Sequence, residues 1–529
     1  MAAIHTQSAA IFGAKNVNVS EEKVAEVDYV PINCLTPNTV IEFTIPGTSD
    51  WYVSLKETRL HVVCKVKLTK FGKEFAVKKP RVPIGYKGSI IIDKLPSQEP
   101  ESESQTQGET LVNLNLLTGD EREAAVKTFE DHVLRWNRYV SLLSRGGVEA
   151  SAIPIDAILH TMWSGVDVFM NHQLVSTTNT MYAYKSYIET VVNNSAATKL
   201  YQLGAIGFTG NQMDGESSKG PELDPTTRTL DMNKRAGLIP VNTTVDLIGY
   251  LSSDLWGIDA AIVNGVEINI KLYPHKEAFR LMTFSDGTEA ELEIEKIYLK
   301  VIKKRLAPKI VVAHNHVMRN VRVASYPFVR TEVRSFNFPE GSRGVTLENP
   351  YQSNIPARII VGMVRADSKA GSFRTNPLHF QHFNIMSAGF YLNDEPVPRR
   401  PYQLDPRNKR IADTLADLYR TLGKSGIDRD IGLSREEYLN GTFLLPFDVQ
   451  PTASGDLQLL AKRTAGHCRL ELLFREPLPC NICVITYAIF PAMLEIDFAR
   501  NVKVVDLEKP VRTISHKPLE HASVIAAGG

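Results

Sequence analysis

One short motif in this sequence has residue types that could bind phosphate: Gly423, Lys424 and Ser425 in succession. A phosphate-binding loop uses this tripeptide to hold phosphate oxygens, but it also requires a glycine five residues before Gly423. That position holds Leu418. Gly423 and Gly426 are therefore predicted to end a helix, and the motif predicts no nucleotide site.

Pairs of cysteines and histidines could bind a metal ion. Cys480 and Cys483 have the spacing of half a zinc site, but no second Cys or His pair follows at the usual distance. His314 and His316 would place two imidazoles on one face of a strand, without carboxylates or a further histidine at ligand spacing. We therefore predict two core thiols and two histidines that bind no metal.

Catalytic signatures are absent from the sequence. It contains no Gly-x-Ser-x-Gly elbow, no His-Glu-x-x-His, no Gly-x-Gly-x-x-Gly between a strand and a helix, and no kinase motif. Basic clusters at 303–305, 399–400 and 407–410 are short and lack interleaved aromatic residues, so they are interpreted as solvated faces. We predict no catalytic residue, no cofactor and no metal ligand, and expect that the protein is not an enzyme.

Composition is that of a soluble globular protein, with 529 residues, 43% of them hydrophobic and 22% charged. The 60 Lys and Arg residues balance 59 Asp and Glu, and a net charge of +1 disfavours a dedicated nucleic-acid binder. Five cysteines, odd in number and mostly in apolar runs, indicate reduced thiols and a protein that is not secreted. The longest nearly apolar stretch, 482–494, is too short to span a bilayer, and we expect no transmembrane segment.

Strand patterns dominate the chain. Residues 266–272 alternate apolar and polar side chains, which is typical of a half-buried antiparallel strand. The strands do not alternate with amphipathic helices, so a parallel doubly wound sheet is disfavoured. The sequence predicts strands over 39–45, 59–68, 166–169, 245–251, 266–272, 291–302, 358–364, 389–392, 441–447 and 467–474.

Helices are predicted over about 119–144, 181–192 and 409–422. Two segments, 95–108 and 213–228, are polar and nearly free of apolar residues, so they are expected to form exposed loops. Both lie in the first half of the chain.

A faint internal duplication organises these elements. Residues 166–175 are predicted to form a strand, a turn with Asn171 and a second strand, and a helix follows. Residues 389–397 repeat this pattern, with Asn393 at the turn. A Phe-x-apolar-Pro motif lies upstream of each, at Phe43 and at Phe336, and paired strands follow each helix. Together with the length, this order predicts two similar β domains joined near 300–313.

Several of these segments resemble the capsid-like proteins of Maverick/Polinton-type elements, adintovirus-like viruses and related animal-genome insertions. The resemblance covers about residues 35–505 and rests on strand and turn patterns. The segments are 166–187, 376–380 leading into 383–392, 438–447 with Gly441, and 494–497 followed by Arg500 and Asn501.

This resemblance implies an all-β fold of two tandem eight-stranded jelly-roll barrels with a few inserted helices, as in the hexon-like double jelly-roll major capsid proteins of the adenovirus and virophage lineage. The implied domains are an N-terminal arm (1–35), a first jelly roll with insertions (36–303), a second jelly roll (304–506) and a C-terminal tail (507–529). The implied function is a structural capsid protein that forms homotrimeric, pseudo-hexagonal capsomers of an icosahedral shell in the virion. Its partners would be copies of itself, neighbouring capsomers and minor capsid or penton proteins, with no specific nucleic-acid sequence.

Two other classes of protein remain open from the residues. One is a two-domain β-sandwich module that binds a carbohydrate or a receptor without shell assembly. The other is an enzyme with an unrecognised site. Whether the protein assembles with copies of itself distinguishes a capsid subunit from the binding module.

Overall fold

The computed structural model describes most of the chain between residues 21 and 506. The helix expected over 119–144, the loops expected over 95–108 and 213–228, and the tail at 507–529 lie outside the described residues. For 89–92 and 110–113 only the backbone is described. The described residues are 21–33, 35–36, 38–70, 89–92, 110–113, 152–210, 235–283, 289–320, 323–352, 354–426, 430–449 and 466–506.

Eight of the described strands in the first half form two four-stranded antiparallel sheets. In hydrogen-bonded order these are β1-β12-β3-β9 and β2-β10-β7-β8. Two short ribbons, β4 with β5 and β6 with β11, accompany them. The strands are β1 (Glu21–Tyr29), β2 (Ile41–Ile45), β3 (Trp51–Lys70), β4 (Ser89–Ile92), β5 (Thr110–Asn113), β6 (Ala152–Pro154), β7 (Trp163–Met170), β8 (Gln173–Thr177), β9 (Thr244–Tyr250), β10 (Ile268–Pro274), β11 (Leu281–Thr283) and β12 (Glu289–Leu306).

The second half has the same plan. Its sheets are β13-β20-β15-β18, with β21 added beside β20, and β14-β19-β16-β17. The strands are β13 (Ala324–Phe338), β14 (Gly344–Glu348), β15 (Arg358–Arg365), β16 (Ile385–Leu392), β17 (Glu395–Gln403), β18 (Leu444–Asp448), β19 (Cys468–Phe474), β20 (Ile482–Ile496) and β21 (Val502–Asp506).

Strand order is identical in the two halves. When the eight principal strands of each half are numbered along the chain, one sheet runs 1-8-3-6 and the other 2-7-4-5. Two facing sheets of this order form an eight-stranded sandwich built from Greek keys. The predicted all-β architecture and its duplication are confirmed.

The core of each sandwich follows from alternation along the strands. In β10, Ile268, Ile270 and Leu272 are fully buried, and Ile270 lies opposite Phe43 of β2 and Val168 of β7. The intervening polar residues face outward, as the period of two requires. The predicted strand over 266–272 is therefore confirmed in β10.

Helices are short and lie between strands. The helix predicted over 181–192 is α2, and the one predicted over 409–422 is α7; each follows the fifth principal strand of its half. Among the described helices, none is both long and apolar enough to cross a membrane. The helices are α1 (Ile158–Thr161), α2 (Tyr182–Asn193), α3 (Ala196–Tyr201), α4 (Glu277–Arg280), α5 (Pro308–Asn320), α6 (Ala366–Ala370), α7 (Ala412–Thr421) and α8 (Arg435–Leu439), with 3₁₀ turns at Leu203–Ile206, Asp254–Gly257 and Pro406–Asn408.

The two turn asparagines are structurally equivalent. Asn171 and Asn393 each begin a two-residue turn between the fourth and fifth strands, and both residues of each turn have positive φ. This geometry is that of the tight hairpin turns that favour Asn. Each Asn side chain accepts a hydrogen bond from the backbone just before the seventh strand, from Glu267 N in one half (2.8 Å) and His467 N in the other (2.9 Å).

Three expectations about the domains and the repeat differ from the structure. The expected N-terminal arm includes strand β1, which pairs with β12, so residues 21–29 belong to the first sandwich. The expected boundary after residue 303 falls inside β12, and α5 makes the connection to β13. The Phe-x-apolar-Pro match is wrong, because Phe43 lies in the second strand of its half and Phe336 in the first strand of its half.

Candidate functional site at the interface between the two halves

The last long strand, β20, is buried on both faces. Ile482, Val484 and Phe490 point into the core of the second half, whereas Cys483 and Ile485 pack into the hydrophobic cluster of the first half. The same division holds in β15, where Ile359 and Val361 face inward and Ile360 and Val364 face the first half. A strand covered on both faces carries a continuous apolar run. The outer face of this sheet is therefore the contact between the halves.

An aromatic cluster lies at the centre of this contact. Phe380, fully buried, stacks on Tyr187 of α2 with ring centroids 6.2 Å apart and meets Tyr184 edge-on at 6.3 Å. Tyr184 donates a hydrogen bond to the carbonyl oxygen of Pro377 (3.1 Å). Gly362 makes room for the ring, since a Cβ there would lie 2.4 Å from Phe380 Cδ1.

A buried ionic network joins the halves beside this cluster. Lys185 Nζ lies 2.6 Å from Glu189 Oε1 and 3.2 Å from Asp254 Oδ1. The second half completes the network, because Tyr487 Oη donates to Glu189 Oε1 (3.1 Å) and the Thr331 N–H donates to Asp254 Oδ2 (3.1 Å). Both carboxylates of the first half thus receive a hydrogen bond from the second.

Burial and the neighbouring charges together set the protonation of this network. Burial alone would lower the pKa of Lys185, but Glu189 and Asp254 outweigh it, so the pKa is raised and the ammonium stays charged. Burial raises the pKa of Glu189, and Lys185 opposes that rise. A buried cation with its anions in hydrogen-bonding contact is stable only while every member is present.

Arg500 fastens the end of the second sandwich to a loop of the first. Its Nε donates to the Asn264 carbonyl oxygen (2.7 Å) and its Nη2 to Asn264 Oδ1 (2.8 Å). In return, Asn171 Nδ2 donates to the Arg500 carbonyl oxygen (2.7 Å). Arg500 has φ +67°, a left-handed conformation held by these contacts.

The segments that carried the sequence resemblance meet at this interface. Asn171 and Arg500 bond each other across it, and Phe380 sits at its centre. The Phe380 N–H donates to the Gly441 carbonyl oxygen at 2.9 Å. Asn171, Phe380 and Arg500, although far apart in sequence, hold one sandwich against the other, and Gly441 holds Phe380 in place.

Comparison with solved structures identifies the architecture. A chain in the cryo-EM structure of the Sputnik virophage superposes with a TM-score of 0.54 at 9% identity, covering 96% of this chain and 93% of that one. The fold is a double jelly roll. The Faustovirus major capsid protein (TM-score 0.46, 9% identity, 92% and 94% covered) and the mavirus major capsid protein (0.44, 10%, 97% and 95%) are less similar in structure. The fold implied by the sequence resemblance is confirmed.

Among curated sequences, an uncharacterized protein of Caenorhabditis elegans is 24% identical over 356 residues, which are 66% of this chain and 80% of that protein. No protein-family model matches the chain.

The chemical motifs weighed from the sequence are dispersed over the double jelly roll. Gly423, at φ +66°, ends α7 as predicted: its N–H donates to the Arg420 carbonyl oxygen and that of Lys424 to the Tyr419 carbonyl oxygen. Gly426 also has positive φ. Cys483 is buried in β20 as predicted, and Cys480, half-buried, lies in the turn before it.

The predicted strand at His314 and His316 is wrong, because both residues lie in α5. Two residues apart on a helix, they point in different directions and do not form a pair on one face. His314 Nδ1 is instead 3.1 Å from the Tyr52 hydroxyl. Among the described residues there is no group of three or more His, Cys, Asp or Glu that could hold a metal ion.

The basic cluster at 303–305 is paired rather than simply solvated. Lys303 lies over the ring of Tyr29, 5.2 Å from its centroid, and Lys304 reaches Glu21 at 3.6 Å. Strand β1 supplies these partners. Arg407 forms a two-pronged ion pair with Glu476 at 2.6 and 2.7 Å, whereas Arg399 and Arg400 are exposed on β17.

The sequence alone did not predict the ionic network of Lys185, Glu189 and Asp254. Lys185 and Glu189, four residues apart on a helix, have the spacing of an ordinary exposed ion pair. Their burial depends on residues far along the chain, Asp254 and Tyr487 among them, and no local pattern indicates those contacts. The remaining signal was the continuous apolar run of β20, which predicts a strand with two covered faces.

We expect the stability of the protein to fall in acid partly through His160. This side chain is buried beside the Tyr182 hydroxyl (3.1 Å), and burial, reinforced by Lys185, lowers its pKa to about 4. Between pH 6.5 and pH 4 this histidine is protonated in the unfolded chain but not in the folded chain. The free energy of unfolding therefore falls as the pH drops from 6.5 to 4, and the fall is complete below pH 4. The loss is on the order of 3 kcal/mol, at roughly 1.4 kcal/mol per pKa unit.

Urea unfolding at several pH values checks this. His160→Gln, which keeps a hydrogen-bonding side chain, should show a shallower fall in unfolding free energy between pH 6.5 and 4. An unchanged slope in the variant would remove His160 as the cause.

Proposed function

We propose that this chain is the major structural subunit of an icosahedral, virus-like shell. The observation that carries the proposal is the double jelly roll itself, superposable over 96% of the chain on a chain from a virophage particle. The sequence resemblance to capsid-like proteins supports it independently. The subunit is proposed to act in the virion, after synthesis in the host cell interior and without secretion.

A homotrimer is the proposed unit of assembly. Two sandwiches of the same strand order in each chain present six similar units when three copies close around a threefold axis. Six similar units in a ring tile a hexagonal lattice. Neighbouring trimers are then the next partners, together with minor capsid or penton proteins, and no specific nucleic-acid sequence is required.

The proposed role is structural, and we assign no catalytic, cofactor-binding or metal-binding residue to it.

Light scattering of the purified protein tests the trimer. Three chains of 58.9 kDa have a mass of about 177 kDa. We expect this mass at micromolar concentration across several salt concentrations, and pseudo-hexagonal particles in negative-stain images. A mass of one or two chains under all these conditions would contradict the shell proposal and favour the binding module.

A further inference from the structure

A cleft of about 660 Å³ opens between the two jelly rolls, on the side where α2 begins. Its first-half wall includes Ser164, Thr180 and Lys276, and its second-half wall includes Arg334, Ser335 and Lys369. No Asp or Glu is among the described residues that line it. We call it the inter-roll cleft. Its size is within the range of sites that bind small molecules.

Two of its cations have no anionic partner among the described residues. The ammonium of Lys369 donates to Ser335 Oγ at 2.6 Å, and that of Lys276 approaches the carbonyl oxygen of Ala370 at 3.5 Å. Both groups therefore contact neutral oxygens. Arg334 differs, since it pairs with Glu332 at 2.9 Å.

The cleft also contains a histidine, His275, whose pKa is lowered mainly by burial. Burial lowers the pKa of His275 to about 3, and Arg280 and Lys276 act in the same direction. The imidazole is therefore neutral at pH 7 and adds no charge of its own. The first turn of α2 also lines the cleft, and a helix N-terminus favours negative charge.

We propose that the inter-roll cleft binds a small polyvalent oxyanion of the phosphate class. Lys276 from one jelly roll and Lys369 from the other would both contact it through charge-assisted hydrogen bonds, which are about twice as strong as neutral ones. The hydroxyl groups lining the cleft suit the remaining oxygens. Because Lys276 and Lys369 come from different halves, the bound anion bridges the halves. The proposal does not depend on shell assembly.

Titration calorimetry with inorganic tripolyphosphate on the full-length protein tests this. We expect saturable binding that weakens as salt rises, and at least tenfold weaker binding in the double variant Lys276→Gln with Lys369→Gln. The matched control is Arg399→Gln with Arg400→Gln, which removes two exposed positive charges from β17 and should leave binding unchanged.

Other outcomes overturn the proposal. They are no saturable binding at millimolar tripolyphosphate, an equal loss of affinity in both double variants, or tighter binding of an acidic peptide such as oligoglutamate than of tripolyphosphate. If the Lys369 substitution prevents folding, Lys276→Gln alone replaces the double variant, because its side chain makes only the 3.5 Å contact. That variant should then bind tripolyphosphate several-fold more weakly, and unchanged binding contradicts the assignment.

Discussion

Replacing Lys185 with methionine is expected to lower the free energy of unfolding by about 3–5 kcal/mol, the usual cost of removing one partner from a buried ion pair. The variant leaves Glu189 and Asp254 facing each other without their cation, at an interface where Asp254 is buried and Glu189 mostly so. Urea unfolding measures the loss directly.

Two controls separate this cost from the loss of side-chain packing. The triple variant Lys185→Met, Glu189→Gln, Asp254→Asn removes all three charges and keeps amide oxygens as acceptors for Tyr487 and Thr331, so most of the stability should return. Lys271→Met breaks a half-exposed pair with Glu42 (3.2 Å) and should cost at most about 1 kcal/mol. If Lys185→Met costs no more than Lys271→Met, the network is not buried as described.

Phe380→Ala should be comparably damaging, because it empties the centre of the aromatic cluster. Removing a fully buried phenyl ring costs about 3–5 kcal/mol through lost burial and the cavity left behind. Gly362→Ala is expected to cost about 1–3 kcal/mol for the opposite reason, since its methyl group would overlap the same ring.

The double variant Phe380→Ala with Gly362→Ala tests this contact more sharply than either single variant. The methyl group that Gly362→Ala introduces points into the space that Phe380 vacates, so the double variant should be more stable than the sum of the single effects allows. Phe43→Ala provides the control, because Phe43 is as deeply buried but lies in β2 of the first jelly roll. Its effect should add to that of Gly362→Ala. If the effect of Gly362→Ala adds to that of Phe380→Ala as fully as it adds to that of Phe43→Ala, the close approach of Gly362 and Phe380 is contradicted.

Local patterns predicted most of the strands and the helices α2 and α7. Alternation over 266–272 is visible in sequence because one face of β10 is buried and the other is not. The turn asparagines were visible for a similar reason, since two successive positive φ values restrict the choice of residue. Such features are set by neighbours a few residues away.

Strand β1 was missed because its pattern is weak. Its residues alternate only between exposed and half-buried, and Val24 is exposed. What holds it is pairing with β12, about 280 residues later in the chain, where Lys300 lies 3.2 Å from Glu26. Glu26 also pairs with Arg59 of β3 (2.8 Å). The interface was missed for the same physical reason: burial of Lys185 and Glu189 depends on distant segments.

The two-faced character of β20 bears on how the protein is made. The first jelly roll, through β12, is synthesised before the strands of the second, and domains generally fold in that order. When β20 emerges, nearly last, the surface that must cover Cys483, Ile485 and Tyr487 already exists. The reverse order of synthesis, as in a circular permutant that begins at β13, would leave this apolar face exposed to other nascent chains until the first half arrived.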